Sequence, residues 1–431
     1  MSTTTTEKAT NLMVSRMAES LIGSEIIKLA AEVNAKIKNG EKIYNLTIGD
    51  FDPKIFPIPV ELKNEIIAAY EQDETNYPPA NGILELRQSV VYFIKKHLGL
   101  DYSPDEVLIA GGARPLIYAT FRALIDANDT VLFPVPSWNN NHYCHLTEAN
   151  PVFIETRPEN NFMPTAAELK PHLSGAQMVA LCSPLNPTGT TFTKNGLKEI
   201  CELILEENNR RGANEKPLYL LYDQIYWTLT FGNTEHFDPI NLYPELKNYT
   251  IFIDGLSKSF AATGVRVGWG FGPQKIIDKM KSIIGHVGAW APRAEQVATA
   301  KYLKQDHLTE AYLAGFKNQI QLRLEGFFNG FKTLKAEGFN VDAIAPQAAI
   351  YLTVQLNLQG LTTSNGHKLS STKEVTKYIL DEAKIAMVPF SAFGASEDSN
   401  WYRLSVGTST LTDIDGVINN LRNALLNLRN K

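Results

Sequence analysis

The sequence predicts an α/β fold, with a mainly parallel sheet covered by helices on both faces and a smaller α+β part. Three observations predict it. Short, continuous apolar runs recur through the middle of the chain, and amphipathic stretches of helical length separate them. Strands that are apolar throughout, rather than alternating, are those buried on both faces of a parallel sheet. Towards the C-terminus the order changes, and one long helical stretch leads into short strands.

The strand candidates of the sheet are, in order, EVLIAGG (106–112), TVLFPVP (130–136), QMVALCSP (177–184), LYLLYD (218–223), YTIFIDG (249–255) and RVGWGFG (266–272). Each is mostly apolar and ends at Gly, Pro or Asp. RPLIYATFRALIDAN (114–128) and KNGLKEICELILEENNRR (194–211) carry apolar residues at helical spacing. In the C-terminal part, 310–338 reads as a helix, 348–356 as a strand, 374–383 as a helix, 385–389 and 402–406 as strands, and 412–428 as a final helix. The expected division is a large domain at 57–315 and a small domain formed by 1–56 and 316–431. The segment before Pro57 has no place in the central sheet and is assigned to the C-terminal part.

Composition narrows the function. The chain has 431 residues, 41 Lys+Arg against 46 Asp+Glu, and so lacks the basic excess of a nucleic-acid binder. No apolar run is long enough for a bilayer, and MSTTTTEKATN lacks the apolar core of a signal peptide. Three cysteines (Cys144, Cys182, Cys201) form no disulfide framework, and a cytoplasmic protein is expected. The N-terminal tail is expected to be unstructured.

The residues that could do chemistry fall just after strand candidates. GGAR (111–114), PSWNNN (136–141), PLNPTG (184–189), DQIY (223–226) and LSK (256–258) each follow one. In open parallel sheets, ligands bind outside the carboxyl ends of the strands. Taken singly, each has a bland explanation: a turn, a helix cap, a solvated lysine, a core tryptophan. Together, at successive strand ends, they bring backbone amides, an indole, an amide, a carboxylate with a phenol, and an amine to one crevice. That set suits pyridoxal phosphate, whose aldehyde takes an amine and whose ring nitrogen takes a carboxylate.

SKSFAATGVRVG (257–268), with NPTG, DQIY and the late arginine of WYRLSVG, resembles the fold-type I, class I/II pyridoxal-phosphate aminotransferases of the aspartate and aromatic type. The resemblance spans roughly residues 20–428 and implies a seven-stranded, mainly parallel sheet. It implies that Lys258 is the Schiff-base lysine and proton shuttle. Asp223 would pair with the ring nitrogen, Tyr226 and Asn186 would contact the 3-oxygen, and Trp138 would stack on the ring. Gly112, Ala113, Arg114, Ser257 and Arg266 would surround the phosphate. Arg403 would grip the substrate α-carboxylate, with Gly49, Trp138 and Asn186 also at the substrate. Tyr77 would reach the phosphate of a neighbouring subunit, which implies a homodimer with shared active sites. Substrates would be an α-amino acid, aspartate or an aromatic one first, and a 2-oxo acid such as 2-oxoglutarate. One position departs from the pattern: many relatives carry a phosphate-binding serine where this chain has Gly255. Arg293, in GAWAPRAEQ, is expected to start a helix and not to read a second carboxylate.

Other classes are weighed against this. A carbon–sulfur β-lyase would share the cofactor and the lysine, because a fold does not fix a function. A non-catalytic binding protein would need an added module, and only some fifty residues precede the family core. GWGFGP (268–273) lacks the dinucleotide spacing, and HYCH (142–145) lacks the further ligands a zinc site needs.

Overall fold

The computed structural model describes residues 13–21, 23, 25–138 and 140–429. The expected tail before Met13 and Asn139 of the PSWNNN run lie outside them. The central sheet has seven strands: β1 Val107–Ala110, β2 Thr130–Val135, β3 Asn150–Glu155, β4 Ala176–Cys182, β5 Tyr219–Asp223, β6 Thr250–Gly255 and β7 Gly268–Phe271. Their spatial order is β1-β7-β6-β5-β4-β2-β3. Neighbours from β6 to β3 run parallel. Strand β7 runs antiparallel to both β6 and β1.

Burial explains why six of these strands were legible. Every residue of β6 is buried, and Ile251, Phe252 and Ile253 are fully so. Each such side chain contributes about 1.5–3 kcal/mol when taken out of water. Strand β3 was not anticipated. It lies at the sheet edge, begins with Asn150-Pro151 and leaves Phe153 48% exposed. Its apolar signal is therefore weak, and its proline is tolerated because an edge strand has unpaired amides.

A second sheet is antiparallel, with β8 Val341–Ala343, β9 Tyr351–Leu356, β10 Val388–Pro389 and β11 Trp401–Ser405 in the order β10-β11-β9-β8. The helix Asp306–Ala336 buries Phe316, Ile320, Leu324, Phe327, Phe331 and Leu334 against it, a spacing of three and four that makes one face. Leu46, Phe51 and Phe56 from the N-terminal segment join the same core. Tyr44–Asn45 also pairs in parallel with Ile385–Ala386. The run 374–383 is helical from Thr372 to Tyr378 and then closes as one wider π turn. Two sheets thus meet with the segment around Gly49 between them, and the crevice they leave holds the polar residues.

Candidate active site

The crevice is a cavity of about 630 Å³. Its walls include Ala113, Arg114, Trp138, Asn186, Asp223 and Tyr226 from the strand ends, Ser257, Lys258 and Arg266 from one loop, and Gly49 and Arg403 from outside the central sheet. Eleven of the thirteen anticipated residues therefore line one space. Gly112 lies directly behind Arg266. Tyr77 is 82% exposed and packs edge-on against Trp290, outside the cavity of this chain.

Lys258 sits in the short helix Leu256–Ser259 that follows β6. Its Nζ donates to the Gly49 carbonyl at 2.6 Å, across 209 residues of sequence. Burial lowers its pKa to about 8, because the ammonium loses its water. Asp50 opposes the shift, while Arg403, Arg114 and Arg266 add to it. Asp223 ends β5, and its Oδ1 accepts from the Ile225 amide at 3.0 Å. Burial raises its pKa to about 6, and that one amide holds it down only in part. An amine less basic than an ordinary lysine and a carboxylate less acidic than an ordinary aspartate thus line the same cavity.

One end of the cavity is built from backbone. Gly112, with φ +98°, turns the chain from β1 into the helix Ala113–Leu124. Its own amide donates to the Ala110 carbonyl, so the amides open to an anion begin at Ala113. A Cβ on residue 112 would stand 2.1 Å from Arg266 Nη2, so only glycine fits. Arg266 donates from Nη1 to the Thr263 carbonyl at 2.7 Å and from Nη2 to the Gly111 carbonyl at 2.6 Å. The glycine at 255 also has a cause: a Cβ there would lie 2.8 Å from Gly268 Cα and 2.9 Å from the Val267 carbonyl. The β6–β7 contact leaves no room for the serine of many relatives.

The other end is built from side chains. Arg403, on β11, is 2% exposed. Its Nη1 donates to Asn186 Oδ1 at 3.0 Å and its Nη2 to the Thr47 carbonyl at 2.6 Å. The guanidinium lies between the Tyr351 and Phe393 rings, 4.7 and 4.9 Å from their centroids. Its Nε has no partner among the described residues. A buried cation without a carboxylate is costly, so this end suits an incoming anion. Arg114 lies 5.3 Å from the Trp138 ring, at the mouth. Arg293 starts the helix Arg293–Tyr302 and pairs with Glu74, away from the cavity.

Among the lining residues that sequence reasoning missed, two carry polar groups into the hydrogen-bond network of the site. Asp50 accepts from Thr263 Oγ1 at 2.6 Å and from the Phe51 amide at 2.8 Å. Its place directly after Gly49 could have flagged it. Tyr351 opens β9, and its hydroxyl lies 2.6 Å from that of Tyr226. No local motif marks it.

The cavity also fits pyridoxal phosphate by its donor set. Arg266 and the helix N-terminus suit a phosphate, Asp223 a ring nitrogen, Lys258 an aldehyde, and Trp138 a flat ring.

Comparison with known proteins agrees. A family model described as aminotransferase class I and II matches residues 41–421. An aspartate aminotransferase of Bacillus sp. strain YM-2 is 28% identical over 401 residues, covering 92% of this chain and 95% of that protein. One from Geobacillus stearothermophilus is 29% identical over 401 residues with the same coverage. The solved structure of the aspartate aminotransferase from Rhizobium meliloti aligns with a TM-score of 0.88 at 26% identity, over 97% of this chain and 100% of that one.

Proposed function

The chain belongs to the class I and II aminotransferases and is a pyridoxal-phosphate-dependent aminotransferase; from that premise we propose how its residues share the work. The observation that carries the assignment is Arg403. It is buried, has no acidic partner among the described residues, and shares a cavity with Lys258. Pyridoxal phosphate, when bound, supplies an aldehyde for the amine and a ring that stabilises negative charge at the substrate Cα.

Arg403 holds the α-carboxylate by its planar fork, with Asn186 fixing one side of the guanidinium. That orients Cα towards Lys258. Lys258 would hold the cofactor through its amine and, when that amine is free, would move the proton at Cα. A free-amine pKa lowered to about 8 suits both tasks better than that of an ordinary lysine. Asp223 faces the ring nitrogen, and a protonated nitrogen beside it would return its raised pKa towards the ordinary carboxylate range. Tyr226 and Asn186 would contact the ring's 3-oxygen, and Trp138 would cover the ring face. Arg266, Ser257, Ala113 and Arg114 would hold the phosphate, with Gly112 shaping the turn.

Aspartate is the first candidate for the amino donor, supported by the names of the relatives, with aromatic amino acids second and 2-oxoglutarate as acceptor. We also assign the large domain to 57–315 and the small one to 1–56 with 316–431, supported by the separate apolar cores around the two sheets. A homodimer is supported by Tyr77, whose ring stands exposed beside Trp290 where a second subunit could receive it. A cytoplasmic location is supported by three free cysteines; among the described residues no helix is long and apolar enough to cross a membrane.

The test is the visible absorbance of the purified protein with pyridoxal phosphate, before and after aspartate, phenylalanine and alanine. The expected result is a yellow band that aspartate bleaches and 2-oxoglutarate restores. Release of ammonia and pyruvate, with no need for a keto acid, would instead establish a β-lyase.

A further inference from the structure

Tyr351 has no part in the assignment above, yet it touches both ends of the cavity. It is 1% exposed, and its Oη lies 2.6 Å from Tyr226 Oη. Its ring lies on Arg403, with Cζ 4.7 Å from the centroid. Its hydroxyl would be 2.8 Å from a Cβ at residue 49, so Gly49 leaves the space it occupies.

Two hydroxyls at this distance share one hydrogen, so one donates and the other accepts. Neither oxygen has another hydrogen-bond partner among the described residues. If Tyr226 donated, its only hydrogen would be spent on Tyr351 and none would remain for a ring oxygen in the cavity. If Tyr351 donates, the Tyr226 hydrogen stays available for an acceptor in the cavity. The Arg403 charge over the Tyr351 ring favours this sense, because a nearby cation makes a phenol a stronger donor.

We propose that Tyr351 is a positioning residue: it donates to Tyr226 and so turns the Tyr226 hydroxyl towards the ring oxygen of pyridoxal phosphate. Because the same phenol rests on Arg403, it also joins the carboxylate end of the cavity to the ring end. The proposal rests on the contact assigned above to Tyr226.

The test is a pH titration of the visible band of the holoenzyme in the wild type, Tyr226→Phe, Tyr351→Phe and the double variant. A donor at the ring oxygen draws electron density from the nitrogen that Lys258 contributes, so losing it raises the band's pKa. Tyr351→Phe keeps the ring on Arg403 and removes only the hydroxyl. It should raise the pKa by about a third of the Tyr226→Phe shift, the order of cooperative strengthening along a hydrogen-bond chain. In the Tyr226→Phe background it should add nothing. Gly49→Ala, whose Cβ would press on the Tyr351 hydroxyl, should raise the pKa with the phenol intact. A Tyr351→Phe band that titrates as wild type, or an equal shift in both backgrounds, overturns the relay. If Tyr226→Phe itself moves nothing, the assignment of Tyr226 is wrong and the relay falls with it.

Discussion

Two arginines mark the ends of one cavity, and they are held in opposite ways. Arg266 is exposed and has φ +62°, and its outer nitrogens donate to carbonyls of its own loop and of Gly111. Arg403 is buried, sandwiched between two rings, and bonded to Asn186 and Thr47, 217 and 356 residues away. The first is fixed by local backbone and can stay hydrated while it waits for an anion. The second is stripped of water, which makes it selective: a desolvated guanidinium favours a group that restores both charge and paired hydrogen bonds. Under the roles proposed for the two arginines, the difference makes the Arg266 end an anchor and the Arg403 end the discriminating one.

The largest expected effect lies between the two ends. Lys258→Ala should remove the visible band and lower the turnover of amino donor by at least about 10³-fold, while both arginines stay in place. Substantial turnover by this variant would show that the ends, not the amine, carry the reaction. Next, Arg403→Ala should lower kcat/KM for the amino donor on the order of 10²–10³-fold, the cost of truncating one partner of a buried charge pair. Equilibrium binding of pyridoxal phosphate should change little. Arg266→Ala should do the converse, weakening cofactor affinity by about 10–100-fold and leaving the donor KM at saturating cofactor nearly unchanged. If both variants damaged the same constant, the two ends would not be separable.

A smaller effect is the pH dependence of cofactor capture. Burial disfavours the Lys258 ammonium, so the reactive free amine appears above a pKa of about 8 and not above that of an ordinary lysine. The rate at which the apoenzyme gains its visible band should rise about tenfold per pH unit below pH 8 and level off above it. A rate still climbing steeply at pH 10 would contradict the lowered pKa. The smallest effect concerns the backbone of the cofactor end. Gly255→Ser should cost about 1–3 kcal/mol of stability in urea unfolding, because the new Cβ meets backbone atoms of Val267 and Gly268. Tighter cofactor binding by this variant would show that the loop can yield after all.

Legibility in the sequence follows the same division. Lys258, Arg266 and Ser257 lie within one contiguous motif, and Asp223 and Tyr226 are three residues apart after an apolar strand. Such positions share a local geometry that a pattern can carry. Arg403 was anticipated from its motif, but its burial and its two aromatic neighbours were not. Tyr351 could not be singled out at all, since a tyrosine in a strand is ordinary until the strand's partner is known. Edge strand β3 was hidden for a related reason, because a strand buried on fewer sides carries a weaker apolar signal.

By itself, then, the sequence determined the α/β class, six of the seven central strands, and the set of groups at their carboxyl ends. Continuous burial and short-range motifs are written in adjacent residues. Only the tertiary structure decided that Gly49 would accept the Lys258 amine, that Gly255 could carry no side chain, and that Tyr351 would lie between Tyr226 and Arg403. Each of these depends on how two sheets and an N-terminal segment are registered against one another, and that register is set by packing across hundreds of residues rather than by any one stretch of chain.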